Sequence, residues 1–280
     1  RLLDKKQIVK SELHILPDGL PILAANQNEV KFLFNEIFTD NYYLKHGITL
    51  KKDSCVIDIG ANVGFFTVFL NILSEDIKVY SFEPIPEVYN YLNANRQLYD
   101  IKGKSYQLAV LDKEQEIEFV YYPQMSILSG ITEDTGNVKE VVRSYIESSE
   151  KTELLPSEME SLLETKLESR KITCQAKTIS QIISEEKLSK IDLLKIDVEN
   201  SEHLVLAGLS EKDWDKVESV IIEIHDVDNR LKDIKEMLER RGFKTYVEKE
   251  EMLSKDAVLY NLYAMRNEKS KGLIKKSWNK

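Results

Sequence analysis

The chain has 280 residues, of which 42% are hydrophobic and 31% are charged, and its formal net charge is −9. This is enough apolar material for one large domain with a sizeable core. An acidic chain is a poor candidate for nucleic-acid binding, which normally needs a basic surface. No apolar run approaches the roughly 20 residues of a membrane span, and the first residues lack the apolar core of a signal peptide.

Two cysteines, Cys55 and Cys174, form neither a metal motif nor a disulfide framework. We therefore expect a cytoplasmic, reduced protein. The chain begins at Arg1 rather than at a methionine, so we expect it to be cut from a longer polypeptide or trimmed.

The first 50 residues hold one helical pattern, NEVKFLFNEIF, followed by the polar and aromatic stretch TDNYYLKHG. We predict an N-terminal helical cap over residues 1–50. If this cap covers the site, His46 in the second stretch is a candidate substrate contact.

Short, β-branched and apolar segments then alternate with helical patterns. Strands are predicted at CVIDIG (55–60), VYSFEP (79–84), IDLLKIDVE (191–199) and SVIIEIH (219–225). A helical pattern follows each of them, at 63–73, 86–99, 200–209 and 227–243. This alternation predicts an α/β fold with a mostly parallel sheet covered on both faces. The segments KTYVEKE and LYNLYAMRNE follow without an intervening helix, which predicts an antiparallel C-terminal edge.

Residues 123–170 interrupt the alternation, so we predict a core of residues 51–122 and 171–268, a helical insertion at 123–170 and a tail at 269–280. Residues 131–170 hold ten acidic and five basic residues, a net charge of −5. Met159, Leu162, Leu163 and Leu167 share one helical face. The insertion is either a solvated amphipathic helix or a lid over a substrate cleft.

The first predicted strand ends in a glycine-rich turn within VIDIGANVGFF. In open parallel sheets, ligands bind at the carboxyl ends of the strands, near the switch point. Asp58, Gly60, Asn62 and Gly64 lie there, and glycine lets a backbone turn tightly and approach a ligand. Glu83 ends the second strand, at a position and spacing typical of an acid that binds the ribose hydroxyls of a nucleoside.

The pattern D-x-G-x-N-x-G differs from the G-x-G-x-x-G of dinucleotide-binding proteins, and the chain has no P-loop motif. An acid this close to the turn would repel a pyrophosphate, whereas it suits a ligand with an ammonium and a sulfonium group. The turn therefore favours S-adenosylmethionine over a nicotinamide cofactor. The alternative is a turn that serves only chain geometry, with Glu83 as a surface acid.

These motifs resemble the FkbM-type methyltransferases, which are class I S-adenosylmethionine-dependent O-methyltransferases with a Rossmann-like fold. The resemblance covers roughly residues 20–268 and rests on DIGANVGFFT, VYSFEPIPEVYNYLNANRQLY, IDLLKIDVENSEHLVLAGL and VIIEIHD. It is nearest to the branch found in modular polyketide synthase and hybrid polyketide–peptide assembly lines. One departure is VENSE, where the family usually has glycine after the glutamate. Asn200 can adopt the left-handed conformation in its place.

The resemblance implies a cofactor contact for residues at the first two strand ends: Asp58, Gly60, Asn62, Gly64, Glu83, Pro84 and Ile85. Glu83 would hold the ribose, Pro84 and Ile85 would border the adenine, and the others would surround the methionine part. S-adenosylhomocysteine is the product expected from this cofactor.

Side chains at the ends of the third and fourth strands are the candidate catalytic groups. Asp197 and Glu199 point to the same face of a strand and can position the substrate, orient a base or bind a metal, or else pair with Lys195. Methylating an alcohol requires removal of its proton, and histidine suits this work near neutral pH. His225 is therefore the predicted general base, oriented by Glu223 or Glu199.

The stretch PQMSILSG, which opens the insertion, is predicted either to line the acceptor pocket or to be an ordinary loop. Its candidate residues are Met125, Ser126, Ser129 and Gly130.

The resemblance implies methylation of a hydroxyl or enol of a polyketide-type intermediate. This intermediate is expected on an acyl carrier protein or within flanking synthase domains. Because carrier proteins are acidic, docking would need a basic surface, for which the candidates are Arg230, Lys232, Arg240 and Arg241.

Two other functions stay open. In the first, a divalent metal assists the same reaction, with hard oxygen ligands of the kind that magnesium accepts: Asp197, Glu199, Glu223 and Asp226. In the second, the chain is a catalytically inactive methyltransferase fold that serves as a structural domain.

Overall fold

The computed structural model describes residues 12–40, 42–131, 138–139, 142–143, 146, 155–250 and 259–266. In chain order its strands are β1 Leu13–Ile15, β2 Pro21–Leu23, β3 Cys55–Ile59, β4 Lys78–Phe82, β5 Gly103–Tyr106, β6 Ala109–Val110, β7 Gln115–Tyr121, β8 Arg170–Lys177, β9 Leu193–Ile196, β10 Ser219–His225, β11 Phe243–Lys249 and β12 Leu259–Arg266. Its α-helices are α1 Gln27–Phe34, α2 Phe65–Leu73, α3 Pro86–Leu98, α4 Pro156–Lys166, α5 Ile179–Glu185, α6 Glu202–Ala207, α7 Glu211–Trp214 and α8 Arg230–Arg240. A π-helical segment, Asn35–Thr39, continues α1, and Ser126–Leu128 forms a 3₁₀ turn.

The central sheet has seven strands in the order β11-β12-β10-β9-β3-β4-β5. Strands β10, β9, β3, β4 and β5 are parallel, and β12 is antiparallel to both β10 and β11. The predicted parallel sheet with an antiparallel C-terminal edge is confirmed. The chain moves outward from β3 through β4 to β5 and later returns beside β3 with β9. The switch point, where a ligand cleft is expected, lies between β3 and β9.

Apolar side chains alternate between the two faces of the parallel strands, as a fully covered sheet requires. On β3, Val56 packs with the buried residues of α2 and α3, whereas Ile57 and Ile59 pack with those of α5, α6 and α8. All three side chains are at most 1% exposed. The sheet is therefore the middle layer between two layers of helices.

Local sequence sets the ends of these helices. Pro86 occupies the first turn of α3, where its missing N–H costs nothing. Thr178 accepts from the backbone N–H of Gln181, and the Gln181 side chain accepts from the backbone N–H of Thr178, so the two form a capping box for α5. Gly242, with φ of +84°, follows the end of α8. A glycine in this left-handed conformation just after the last turn commonly ends a helix.

A second sheet, of order β6-β8-β7, is absent from the predicted elements. Its longer strands, QEIEFVY and RKITCQAK, carry charged residues on a face that meets solvent, and Glu116 and Glu118 are exposed. The cap likewise contains a two-stranded ribbon, β1 and β2, that was not predicted. Short strands with one solvated face give a weak sequence signal, and both sets were missed for that reason.

The insertion packs through the predicted helical face. Met159 and Leu163 of α4 are buried and lie in one apolar cluster with Val120, Tyr122 and Met125. Residues 132–137, 140–141, 144–145 and 147–154 of the insertion, and the tail at 269–280, lie outside the described residues. The lid hypothesis therefore stays a prediction. Within the described part of the chain, none of the helices has the length and apolar character to cross a membrane.

Candidate active site

A cleft opens at the carboxyl ends of β3, β4 and β9, at the switch point of the sheet. Its empty space is roughly 780 Å³, part of which is open solvent. Of the residues predicted to hold the cofactor, it is lined by Gly60, Asn62, Glu83, Pro84 and Ile85. Of the residues predicted to act on the acceptor, it is lined by Ser126, Ser129, Gly130, Asp197 and Glu199.

The glycines of the turn bring chain segments together. Gly60 has φ of +73°, and a Cβ placed on it would overlap the carbonyl oxygen of Asp197. Gly64 has φ of +92° and precedes α2, and a Cβ there would lie 2.8 Å from Leu92 Cδ1. Both glycines therefore approach another part of the chain closely, and Gly60 also lines the cleft, where its approach to a ligand stays a prediction. Gly60 joins the end of β3 to the end of β9.

Asp58 lies beneath the turn and is fully buried. Its Oδ2 accepts a hydrogen bond from Thr67 Oγ1 at 2.8 Å, and its Oδ1 lies 3.2 Å from Lys195 Nζ. It is not among the residues that line the cleft. The structure thus corrects the expectation that Asp58 contacts the methionine part, because its side chain is buried between β3 and α2, where it bonds to Thr67 and pairs with Lys195.

Glu83 is oriented by the backbone at the ends of two strands. It is 5% exposed, its Oε2 accepts from the Asn62 N–H at 3.1 Å and its Oε1 accepts from the Ile85 N–H at 2.9 Å. Burial raises the pKa of Glu83 to about 7. Each carboxylate oxygen can accept a second bond, so the side chain can take a pair of neighbouring hydroxyls.

Asp197 stands at the end of β9, with its side chain 30% exposed. Its Oδ2 lies 3.0 Å from Lys195 Nζ and accepts from the Tyr43 hydroxyl at 3.0 Å. Burial alone would lower the pKa of Lys195, but Asp197 and Asp58 outweigh it and raise that pKa. The predicted alternative, an ion pair of Asp197 with Lys195, is present, and Asp197 also lines the cleft.

The cap approaches this group through Tyr43 and Glu36, which the sequence did not single out. Tyr43 is 3% exposed, and burial together with repulsion from Asp197 raises the pKa of Glu36 to about 8.

His46, a predicted substrate contact, lies away from this group. Its ring stacks on Tyr246 at 4.6 Å, and its Nε2 is 2.9 Å from a carboxylate oxygen of Glu248. The structure therefore holds His46 against the C-terminal hairpin instead of bringing it to the cleft.

His225 lies between two carboxylates. Its Nδ1 is 2.8 Å from Glu202 Oε1, and its Nε2 is 3.0 Å from Glu199 Oε2. Arg230 donates to the other oxygen of Glu202 at 2.7 Å. Burial would lower the pKa of His225, but Glu199 and then Glu202 outweigh it and raise that pKa to about 11. At neutral pH the ring in this arrangement is protonated and donates to both acids.

Glu202 was missed in the sequence, although it is fully buried and fixes the Nδ1 side of the ring. The feature of the sequence that could have identified Glu202 is an acidic residue in the first turn of the otherwise apolar helix α6. Asn200, which precedes it, has φ of +60°. The predicted left-handed conformation at this departure from the family pattern is confirmed.

The pairing of His225 with Glu199 and Glu202 should make the free energy of unfolding depend on pH. Because its pKa is raised from 6.5 to about 11, the contribution is complete below pH 6.5 and is lost as pH rises toward 11. We expect the free energy of unfolding of the wild type to exceed that of His225→Gln most at pH 6.5 and below. The gap should shrink by at most about 1.4 kcal/mol per pH unit above this. Urea unfolding from pH 6 to 10 measures it, and a gap that widens with pH would contradict the pairing.

Glu199, Glu223 and His225 offer ligand atoms that all lie within 4.8 Å of one another. Burial, followed by repulsion from Asp197 and Glu36, raises the pKa of Glu223 well above its ordinary value. Two carboxylates and an imidazole form a donor set for a divalent metal. The predicted ligand Asp226 is instead engaged at α8, where its Oδ1 accepts from the Leu231 N–H at 3.0 Å.

The residues predicted for the acceptor separate into two groups. Met125 is 2% exposed and lies in the apolar cluster of the insertion, away from the cleft. Ser129 Oγ accepts from the Tyr122 N–H at 3.1 Å, and Gly130 forms a bridge to Glu199. Ser126 is 8% exposed and is bonded to Asn62 and Glu29. Ser126, Ser129 and Gly130 therefore form one wall of the cleft.

Most of the basic surface predicted for docking is neutralised. Arg230 pairs with Glu202, Arg240 with Glu236 and Arg241 with Glu211. Of the four candidates, Lys232 and Arg240 are exposed. The Arg240–Glu236 pair is 3.4 Å long and lies at the surface, where such pairs are weak, so these two residues are the part of the predicted surface that is available to an acidic partner.

The sheet order, the glycine turn and an acid at the end of the second parallel strand define a class I S-adenosylmethionine-dependent methyltransferase. Residues 58–245 match the family described as Methyltransferase FkbM domain, and the chain belongs to this family. The predicted family and fold are thus confirmed, and the protein is an S-adenosylmethionine-dependent methyltransferase of FkbM type.

Named relatives agree with this family. The chain is 33% identical over 240 residues to the 31-O-demethyl-FK506 methyltransferase FkbM of Streptomyces tacrolimicus, covering 85% of this chain and 91% of that protein. It is 32% identical over 261 residues to the AMB antimetabolite synthetase AmbE of Pseudomonas aeruginosa, covering 90% of this chain but 12% of AmbE. A crystal structure of the methyltransferase FkbM from Methylobacillus flagellatus superimposes with a TM-score of 0.50 at 14% identity. That match covers 86% of this chain and 56% of the other, and it supports the fold alone.

Proposed function

We propose that this methyltransferase transfers the methyl group of S-adenosylmethionine to an oxygen atom, a hydroxyl or enol of a polyketide-type intermediate on an acyl carrier protein. The proposal rests on one observation: an acid–base pair, Glu199 and His225, lies at the cofactor cleft. Glu199 lines the cleft, and its Oε2 lies 3.0 Å from His225 Nε2. An alcohol acceptor needs such a pair because its proton must leave as the oxygen is methylated.

The cofactor is proposed to lie along the cleft from Asp197 to Ile85. Glu83 would accept the two ribose hydroxyls, and Pro84 and Ile85 would flank the adenine. Asp197, Asp58 and Lys195 together carry a net charge of −1, which suits the positive methionine part. Among them, Asp197 lines the cleft and is the candidate partner of the ammonium group.

In the proposed reaction the acceptor oxygen attacks the methyl carbon as the carbon–sulfur bond breaks. The bonding electrons stay on sulfur, which gives S-adenosylhomocysteine, and the acceptor proton passes to a base. Holding the oxygen about 3 Å from the methyl carbon supplies much of the rate, because the sulfonium group is already an activated leaving group.

His225 is the proposed base, through Nε2. Glu202 would hold the proton on Nδ1 and so fix the tautomer, as the partner of a catalytic histidine commonly does. Glu199 is bonded to Nε2 in the structure, so an acceptor hydroxyl would have to take its place. The Nε2 proton would pass to Glu199, 3.0 Å away, and leave with it as a neutral carboxylic acid. Without Glu199 the largest interaction that raises the pKa of His225 is lost, and the neutral ring, held by Glu202 at Nδ1, can receive the proton of the acceptor at Nε2.

Two kinds of relative support the finer parts of the proposal. The name 31-O-demethyl-FK506 methyltransferase describes an oxygen acceptor for that protein, and AmbE is a synthetase. The carrier-protein part rests on the likeness to AmbE, because the basic residues predicted for docking are mostly engaged in ion pairs.

The test offers matched acyl chains on a carrier protein to the enzyme with methyl-labelled S-adenosylmethionine. The chains are a 3-hydroxyacyl group, a 3-oxoacyl group that can enolise, and a saturated acyl group of the same length. We expect label on an oxygen of one of the first two chains and none on the saturated chain, with transfer read by intact-protein mass and the labelled atom located by NMR of the released acyl group. Label on carbon of the saturated chain, or no label on any of them from an enzyme that binds the cofactor, would contradict the proposal.

A second candidate is favoured by the cluster of Glu199, Glu223 and His225, at which a divalent metal would assist the same reaction. These three side chains would hold the ion, which would lower the pKa of a bound hydroxyl. Because Glu223 and His225 both have raised pKa values, binding would release protons.

The metal hypothesis predicts loss of turnover after treatment with a chelator and recovery with Mg²⁺ or Mn²⁺. It also predicts that the added ion raises the thermal midpoint of the wild type and of Asp226→Asn, but not that of Glu223→Gln. An unchanged midpoint in the wild type, with turnover indifferent to the chelator, would exclude metal assistance at this cluster.

A further inference from the structure

Glu29 is a buried carboxylate for which the proposed reaction has no use. It lies in the first turn of α1 and is 7% exposed. Burial raises its pKa to about 7, even though hydrogen bonds from Ser126 oppose that rise. Burying a carboxylate is costly unless it is hydrogen-bonded, so its partners indicate its role.

Both oxygens of Glu29 are directed at one residue of the cleft wall. Oε1 accepts from the backbone N–H of Ser126 at 2.5 Å, and Oε2 accepts from its hydroxyl at 3.0 Å. The Ser126 hydroxyl in turn accepts from Asn62 Nδ2 at 3.1 Å. The backbone N–H of Asn62 donates to Glu83 at 3.1 Å. A continuous chain of hydrogen bonds thus runs from the cap, through the start of the insertion and the glycine turn, to the acid at the end of β4.

The Ser126 hydroxyl takes part in two of these bonds, and Asn62 fixes their direction. The amide Nδ2 of Asn62 can only donate, so the Ser126 hydroxyl accepts from it and turns its own hydrogen toward Glu29. Asn62 has φ of +49°, and its Oδ1 already accepts from the Val63 N–H at 2.7 Å. Its side chain is therefore held at both ends, in a conformation that asparagine tolerates better than most residues.

A second bond ties the same two segments together. Asn26, which caps α1, donates from Nδ2 to the carbonyl oxygen of Gln124 at 2.8 Å. The start of α1 and residues 124–126 therefore contact each other at two points. Any displacement of α1 would be transmitted through Ser126 to the cofactor turn.

We propose that Glu29 is a positioning residue for the cofactor, acting through Ser126 and Asn62 on the turn and on Glu83. This inference rests on the function proposed above, because it assigns Glu83 and Asn62 to cofactor binding. It gives the cap a function in the affinity for the cofactor, although Glu29 itself is not among the residues that line the cleft.

The test measures S-adenosylhomocysteine affinity by calorimetry in the wild type, Glu29→Gln, Ser126→Ala and the double variant. Each single change should weaken binding about tenfold, or about 1.4 kcal/mol. The double variant should bind no more weakly than the weaker single, because both changes break the same chain. In Glu29→Gln, which changes no residue of the cleft wall, the KM for S-adenosylmethionine should rise in parallel, with kcat within about threefold of wild type.

The thermal midpoint without ligand separates positioning from a purely structural role. Glutamine keeps the shape of Glu29 and removes a carboxylate that burial penalises, so the midpoint of Glu29→Gln should not fall by more than about 2 °C. Glu164→Gln, an exposed position in α4, is the matched control and should bind like the wild type. If Glu29→Gln fails to fold, Ser126→Ala provides the same measurement from the other side of the bond.

Three results would overturn the inference. Wild-type affinity in both single variants would show that the chain of hydrogen bonds does not position the cofactor. Fully additive losses in the double variant would show that the two residues act separately. Failure of the wild type itself to bind S-adenosylhomocysteine would contradict the proposed function and, with it, this inference. That failure can be distinguished from the other two results because it is observed before any variant is made.

Discussion

His225→Gln is expected to lower kcat by about 10²–10⁴-fold, the usual contribution of a positioned acid–base group. Glutamine fills much of the same space and can still bond to Glu199 and Glu202, but it cannot accept a proton near neutral pH. Because His225 does not line the cleft, the affinity for S-adenosylhomocysteine should stay within about threefold of wild type. Single-turnover methyl transfer and calorimetry measure the two quantities.

His203→Gln is the matched control, since His203 lies beside Glu202 on α6 but is exposed to solvent. It should retain wild-type turnover. If His225→Gln also keeps kcat within threefold, His225 is not the base. Glu199, the carboxylate that lines the cleft next to it, would then be the candidate proton acceptor.

Gly60→Ala is expected to lower the free energy of unfolding by about 2–4 kcal/mol. Part of this comes from φ of +73°, which an L side chain rarely adopts, and part from overlap of the new Cβ with the Asp197 carbonyl oxygen. The obstructing atom belongs to the backbone at the end of β9 and cannot turn aside. Urea unfolding monitored by circular dichroism provides the measurement.

Gly19→Ala isolates the overlap from the backbone conformation. Gly19 has φ of +88°, similar to that of Gly60, but nothing lies within 4 Å of a Cβ built there. This variant should lose only about 1 kcal/mol. An equal loss of unfolding free energy in the two variants would contradict the close contact between the ends of β3 and β9. The position of Asp197 depends on that contact.

The parallel core could be predicted because its strands are buried on both faces. SVIIEIH predicted a strand at 219–225, and β10 occupies those residues. The third predicted strand, 191–199, is longer than β9, Leu193–Ile196, because the chain leaves the sheet where Asp197 and Glu199 reach the cleft. Strands such as β7, with glutamates on a solvated face, escaped detection because their apolar pattern is diluted by charge.

The residues of the candidate site likewise fall into those that the sequence could predict and those that it could not. Residues at strand ends, such as Glu83, Asp197 and His225, could be named from the sequence because the topology of a parallel sheet brings strand ends together. Glu202 and Glu29 could not, because their importance depends on partners that are 23 and 97 residues away along the chain. Asp58 was assigned to the cleft because the strand pattern gave its position and not the direction of its side chain.

Thermal unfolding with S-adenosylhomocysteine, and with NAD as the control ligand, tests the central claim most directly. At 100 times its dissociation constant, a ligand adds about 2.7 kcal/mol to stability, which for a chain of this size is a shift of roughly 5 °C. We expect this shift with S-adenosylhomocysteine alone, and a clearly smaller one at the same concentration in Glu83→Gln. No shift with either ligand would contradict a cofactor site at the β3–β9 cleft and would favour an inactive structural domain. An equal shift with NAD would contradict the selection of S-adenosylmethionine over a nicotinamide cofactor.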